Sequence, residues 1–90
     1  MTEGRVRRRG DVLWRRSLDS VVLLPVGATE PVALAGTGPA VWELLAAPRS
    51  VSELAQDLAA RYATDPSTVE SDLAMLLADL GALGVIERAC

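Results

Sequence analysis

The sequence predicts an α+β domain in which a short antiparallel meander precedes three helices. Three observations carry that prediction. Brief β-branched runs joined by short links fill the first part of the chain, whereas parallel pairing would need long crossovers. Helix-capping signals then recur from residue 37 onward. The last long segment carries an apolar stripe repeating every 3.6 residues. With 90 residues, half of them apolar and 3% aromatic, the chain amounts to one small domain with one core.

The elements follow in order. Met1 to Gly10 is polar and Arg-rich without apolar period, and reads as a flexible N-terminal arm, residues 1–10, ahead of a domain spanning 11–90. Such an arm is either a solvated tail or a contact for an acidic partner or nucleic acid. Val12 to Ser17 is a first strand and Ser20-Val21-Val22-Leu23-Leu24 a second, joined by Leu18-Asp19 and stopped by Pro25. Val26 to Pro31 forms a loop, and Val32 to Ala35 returns as the third strand. Gly36 breaks it. Thr37 is placed to cap the first helix, with Pro39 tolerated in its first turn and Val41, Trp42, Leu44 and Leu45 on its apolar face.

Pro48 ends that helix, and Ser50-Val51-Ser52-Glu53 opens the second as a capping box. Leu54, Leu58 and Tyr62 then share one face. Ala63 to Ser67 is a break, after which either Asp65 caps with Pro66 in the first helical position or Ser67 caps with Glu70. In the third helix Val69, Leu73, Leu76, Leu77, Leu80 and Leu83 fall within an arc of about 120°, a broad core-facing stripe bordered by Glu70, Asp72 and Asp79. Gly84 is the stop, before Val85-Ile86 packs back as a tail or short strand. The whole is winged-helix-like: a three-stranded antiparallel sheet followed by three helices.

Composition excludes several function classes. The chain has no His, which removes the commonest general base and metal ligand. The sequence holds no Walker loop and no CxxC pair, and Gly36-Thr37-Gly38 continues into Pro39-Ala40 without the third glycine of a dinucleotide fingerprint. Asp72 and Asp79 lie roughly 10 Å apart along a helix and read as a solvated edge rather than an acid/base pair. Neither an enzyme nor a metal or cofactor site is therefore expected. A lone Cys90 and no apolar run of membrane-spanning length fit an intact cytoplasmic chain.

Charge is unevenly placed: six of the nine Arg precede residue 17, while nine of the twelve acids follow residue 29. Nucleic-acid binding through the third helix would need Arg, Lys, Asn or Gln directed at bases, and Ser67 to Leu83 has none. Its three acids would repel phosphate. A meander beside an apolar helix instead offers an edge: if the third strand is unpaired on one side, an extended peptide can add to it.

Taken together, Val21-Val22-Leu23-Leu24, Leu34 with Thr37-Gly38 and Val41-Trp42, Arg49 to Leu54 with Tyr62, the stripe from Val69 to Leu80, and Gly84-Val85-Ile86 resemble the PqqD-like family. That family comprises leader-peptide-binding domains called RiPP recognition elements. The resemblance spans about residues 11 to 88; it departs at Ala35, where Asn is frequent, and at Pro48, where a glycine-containing turn is common. It implies that the leader of a ribosomally made precursor adds beside Val32, Ala33, Leu34 and Ala35. The facing helix positions it implies are Val69, Asp72, Leu73 and Leu76, with Asp79 or Leu80. Implied partners are the precursor and a leader peptidase or other tailoring enzyme. An Arg-rich, Lys-free composition looks like the discrete proteins of lasso-peptide pathways, with a chaperone for a radical-SAM enzyme as the alternative. A winged-helix DNA-binding regulator is the alternative from another class, and the acidic third helix argues against it.

Overall fold

The computed structural model describes residues 4–89. Its elements are β1 (Arg5–Arg8), β2 (Leu13–Ser17), β3 (Ser20–Leu24), β4 (Val32–Leu34), α1 (Gly38–Leu44), β5 (Arg49–Ser50), α2 (Val51–Tyr62), α3 (Pro66–Leu83) and β6 (Ile86–Ala89). The expected meander is β2–β3–β4, antiparallel throughout, with Trp14 opposite Leu23 and Val21 opposite Leu34. A two-residue turn, Leu18-Asp19, joins β2 to β3, and Leu18 sits there at φ +53 with its side chain 93% exposed. Alternation along β3 sends Val21 and Leu23 inward, as a period of two requires.

A second sheet corrects the expectation of a flexible arm. Arg5–Arg8 is a strand, paired antiparallel with β5 on one side and β6 on the other. Met1 to Glu3 lie outside the described residues. The physical reason is main-chain pairing on both sides, with a small apolar and ionic contribution from the side chains. Val6 alone packs against the core, while Arg5 meets Glu53 at 3.7 Å and Arg7 meets Glu87 at 2.9 Å. The basic head and acidic body noted in the sequence are thus halves of one set of pairs, to which Arg16 and Glu43 add a third.

Two clusters form the core. One joins α1, α2 and α3 through Val41, Leu45, Leu54, Leu58 and Leu73; the other seats Val21, Leu23, Leu34 and Leu80 around Trp42. Leu76 and Leu77 of α3 pack against both, so the third helix is the element that ties sheet to helices. Arg8 lies over both indoles, 4.7 Å from the Trp14 ring centre and 5.6 Å from that of Trp42, and donates Nη1–H to the Trp42 carbonyl at 3.3 Å. The Trp42 indole N–H is buried without an acceptor.

The caps sort the sequence signals. Ser50 and Glu53 form the full box: Glu53 N–H donates to Ser50 Oγ at 3.2 Å, and Ser50 N–H to Glu53 Oε1 at 2.9 Å. Asp65 caps α3, accepting from Ser67 N–H at 3.0 Å, with Pro66 as the first helical residue. Gly84 ends α3 at φ +72. Thr37 does not cap with its side chain: its backbone is helical, and an N-cap oxygen needs the N–H of the second or third helical residue, of which Pro39 removes one.

The Glu53 carboxyl is held below its ordinary 4.5 chiefly by the Ser50 backbone N–H it accepts, with Arg5 and the Ser50 hydroxyl assisting. A depressed carboxyl stabilises the fold above its unfolded pKa, and that contribution disappears as pH falls through the folded value. The melting difference between the protein and Glu53→Gln is therefore expected to be present at pH 6 and to shrink steadily below about pH 4.5. Thermal scans across that range check it; a difference that grew on acidification would contradict the box.

Candidate peptide-docking site

β4 pairs with β3 alone among the described residues, so its other side is a strand edge with unmatched main-chain groups. The edge is short. Ala33 is exposed and Val32 half-buried, while Leu34 turns inward to the Trp42 cluster. Only its main chain is offered to a partner. Ala35, expected within the strand, belongs to the turn that follows: its carbonyl accepts the Gly38 N–H at 3.1 Å, and Gly36 takes φ +64 to reverse the chain. The close fit of turn to strand shows at Gly38, where a Cβ would stand 3.0 Å from that of Leu34.

Beyond the turn lies an apolar cleft of about 280 Å³ between α2 and α3. Leu58, Tyr62, Val69 and Leu73 make its walls and floor, and Thr37, Thr64, Thr68 and Asp72 ring it with polar groups. The amphipathic face of α2 and the stripe of α3 converge here because Leu58 and Leu73 share the core cluster beneath. Such a cleft accepts an apolar side chain and offers hydroxyls and one carboxylate to whatever flanks it.

Of the α3 positions expected to face a peptide, the structure brings Val69, Asp72 and Leu73 to this cleft, with Leu73 as floor at 2% exposure. Leu76 is half-buried between the two core clusters. Leu80 corrects the expectation: it is 0% exposed, packed with Trp42 and Leu34, because the centre of a core-facing stripe is consumed by the core itself. Asp79 is exposed and does not line the cleft. Sequence reasoning missed Leu58 and Tyr62, which it gave to the core face of the second helix. The signal was a Tyr at the end of that face, where its ring packs and its hydroxyl reaches water; it is 51% exposed.

Among the described residues no group of three or more His, Cys, Asp or Glu is placed to hold a metal, and no helix is long and apolar enough to cross a membrane.

This geometry defines a class: a small α+β domain of antiparallel sheets set against three helices, with an open strand edge at β4 and an apolar cleft that begins at Thr37, three residues beyond it. A family model described as coenzyme PQQ synthesis protein D (PqqD) matches residues 20–86, and the chain belongs to that family. The fold agrees with a solved relative, the solution NMR structure of the PqqD truncation of Methylobacterium extorquens PqqCD. That protein is described as a functional and stand-alone RiPP recognition element. The two are 30% identical, with a TM-score of 0.76 over 93% of this chain and 89% of the other. No curated protein matches the chain.

Proposed function

We propose that the chain binds the leader segment of a ribosomally synthesised precursor peptide as a strand added to β4, lying along α3, and presents the precursor to a separate leader peptidase or tailoring enzyme. The observation that carries this reading is the edge of β4 left unpaired among the described residues, followed three residues on by the Thr37 side of the Val69–Leu73 cleft. Main-chain groups supply affinity for any extended segment, while the cleft selects one apolar side chain and Asp72 a basic or hydroxylic neighbour. Ala33 leaves the edge unshielded. The chain makes and breaks no bond in this role; it works by effective concentration, holding the substrate near a partner enzyme. A lasso-peptide pathway is the favoured setting, on the Arg-rich, Lys-free composition. A second setting is that of a PqqD-type peptide chaperone to a radical-SAM enzyme, in keeping with membership of a family described as coenzyme PQQ synthesis protein D.

The test is an NMR titration with synthetic leader peptides. Amides of Val32 to Ala35 and of the cleft residues should shift together and saturate, with affinity falling only modestly between low and moderate salt. Shifts confined to Arg5–Arg9 with a steep salt dependence would sink the reading and return attention to polyanions.

A further inference from the structure

The meander has a second free edge, at β2. We propose that β2 and the concavities on either side of it form a second docking site, for an acidic, extended segment of the partner enzyme that receives the precursor. The identity of that partner rests on the leader-binding reading; the site rests on three observations of its own.

First, β2 pairs with β3 alone among the described residues, and all five of its residues are exposed. Second, Trp14 on this strand borders two concavities of opposite chemistry. One, of about 300 Å³, lies over Leu13, Val22, Leu24 and Pro31, with Arg15 at its side. The other, of about 470 Å³, is polar and faces Arg7, Arg8, Arg9 and Glu87. Third, the cations here are not all matched. Arg7 is paired with Glu87, Arg9 with Asp11 and Arg16 with Glu43, but among the described residues Arg8 and Arg15 hold no carboxylate. Arg8 spends one N–H on the Trp42 carbonyl and sets its guanidinium carbon 4.7 Å from the Trp14 ring centre, and among the described residues the other donors of its fork meet no carboxylate.

The occupant must therefore supply main chain for the edge, apolar side chains for one cleft and carboxylates for two guanidinium groups. A free anion uses only the last of these. A second copy of the chain is disfavoured, because antiparallel pairing of β2 with itself about its middle residue sets Arg15 against its own counterpart, and like charges directly opposite across a strand pair destabilise it. The leader has its own edge at β4, with β3 between, so both edges can be filled at once. β1 and β2 lie outside the residues matched by the family model, while Val22, Leu24 and Pro31 of the apolar concavity lie within them.

The probe is a capped peptide of alternating Val and Glu, titrated into the isotope-labelled full chain, with the Lys counterpart and inorganic phosphate as controls. Saturable shifts at Leu13–Ser17 and at the Arg8 side chain are expected with the Glu peptide. Arg15→Gln should weaken that binding at least tenfold with an unchanged melting temperature, since among the described residues Arg15 has no hydrogen-bond or ion-pair partner to lose. The proposal is overturned by any of four results. These are no saturation, equal binding of the Lys peptide or by Arg15→Gln, reproduction of the β2 shifts by phosphate alone, and shifts confined to Val32–Ala35. A concentration-dependent dimer with β2 protected from hydrogen exchange would overturn it too, in favour of self-pairing. Leader titrations report on β4 separately, so either site can fail without the other.

Discussion

Replacing Trp42 with Ala is expected to cost the fold about 3–5 kcal/mol. Trp42 is fully buried, packs edge-on against Trp14 at 6.1 Å, and is the centre on which β3, β4 and α3 meet. Removing it opens a cavity under both the meander and α3, which neither can close without giving up its strand register or its helix packing. A domain of this size has roughly 4–13 kcal/mol in total, so the loss consumes much of the margin. Urea denaturation followed at Trp14 measures it. Should Trp42→Ala fail to fold, Trp42→Phe keeps an aromatic ring in the core and removes the indole N–H that lacks an acceptor, and is expected to cost much less. A Phe variant as damaged as the Ala variant would show that the indole itself, and not ring burial, holds the cluster.

The second large effect is on binding. Val69→Lys should lower leader affinity at least tenfold, about 1.4 kcal/mol, while leaving the fold intact. Val69 is half-buried at the lip of the cleft, so a longer stem can follow the apolar wall and carry its ammonium out to water beside Asp72. The stem occupies the space meant for a leader side chain, and the charge neutralises the carboxylate that would meet its neighbour. Calorimetry against the leader peptide, with a circular dichroism melt as control, separates the two effects. Undiminished affinity would move the contact away from the α2–α3 cleft.

Much of this was legible in the chain because it depended on local signals. The box at Ser50 and Glu53, the stop at Gly84 and the 3.6-residue stripe of α3 each need only their own neighbours to be satisfied, and the structure has them all. What was not legible depended on distant partners. Arg5–Arg8 has one apolar residue in four and no strand signature of its own; it becomes a strand because β5 and β6 offer it main-chain partners on both sides, with Glu53 and Glu87 placed to meet Arg5 and Arg7. The stripe likewise says which residues of α3 face inward, but not where the core ends and an open cleft begins. That boundary puts Leu73 on a cleft floor and Leu80, seven residues on, under Trp42. Thr37 shows a local signal overruled locally, since the proline two residues later removes a donor its hydroxyl would have used.

The register of β1 on β6 sets Arg5 opposite Ala89, so the two ends of the described chain lie side by side on one strand pair. Neighbouring strands are only about 4.8 Å apart, a gap that a few residues of linker can bridge. The domain can accordingly be entered and left through a single seam. Carried as an insert in a host protein, it would demand little more of that host than a break in one surface loop. Joined end to end and reopened at the exposed Leu18-Asp19 turn, it would keep every other strand pairing while bringing new termini to the tip of the hairpin.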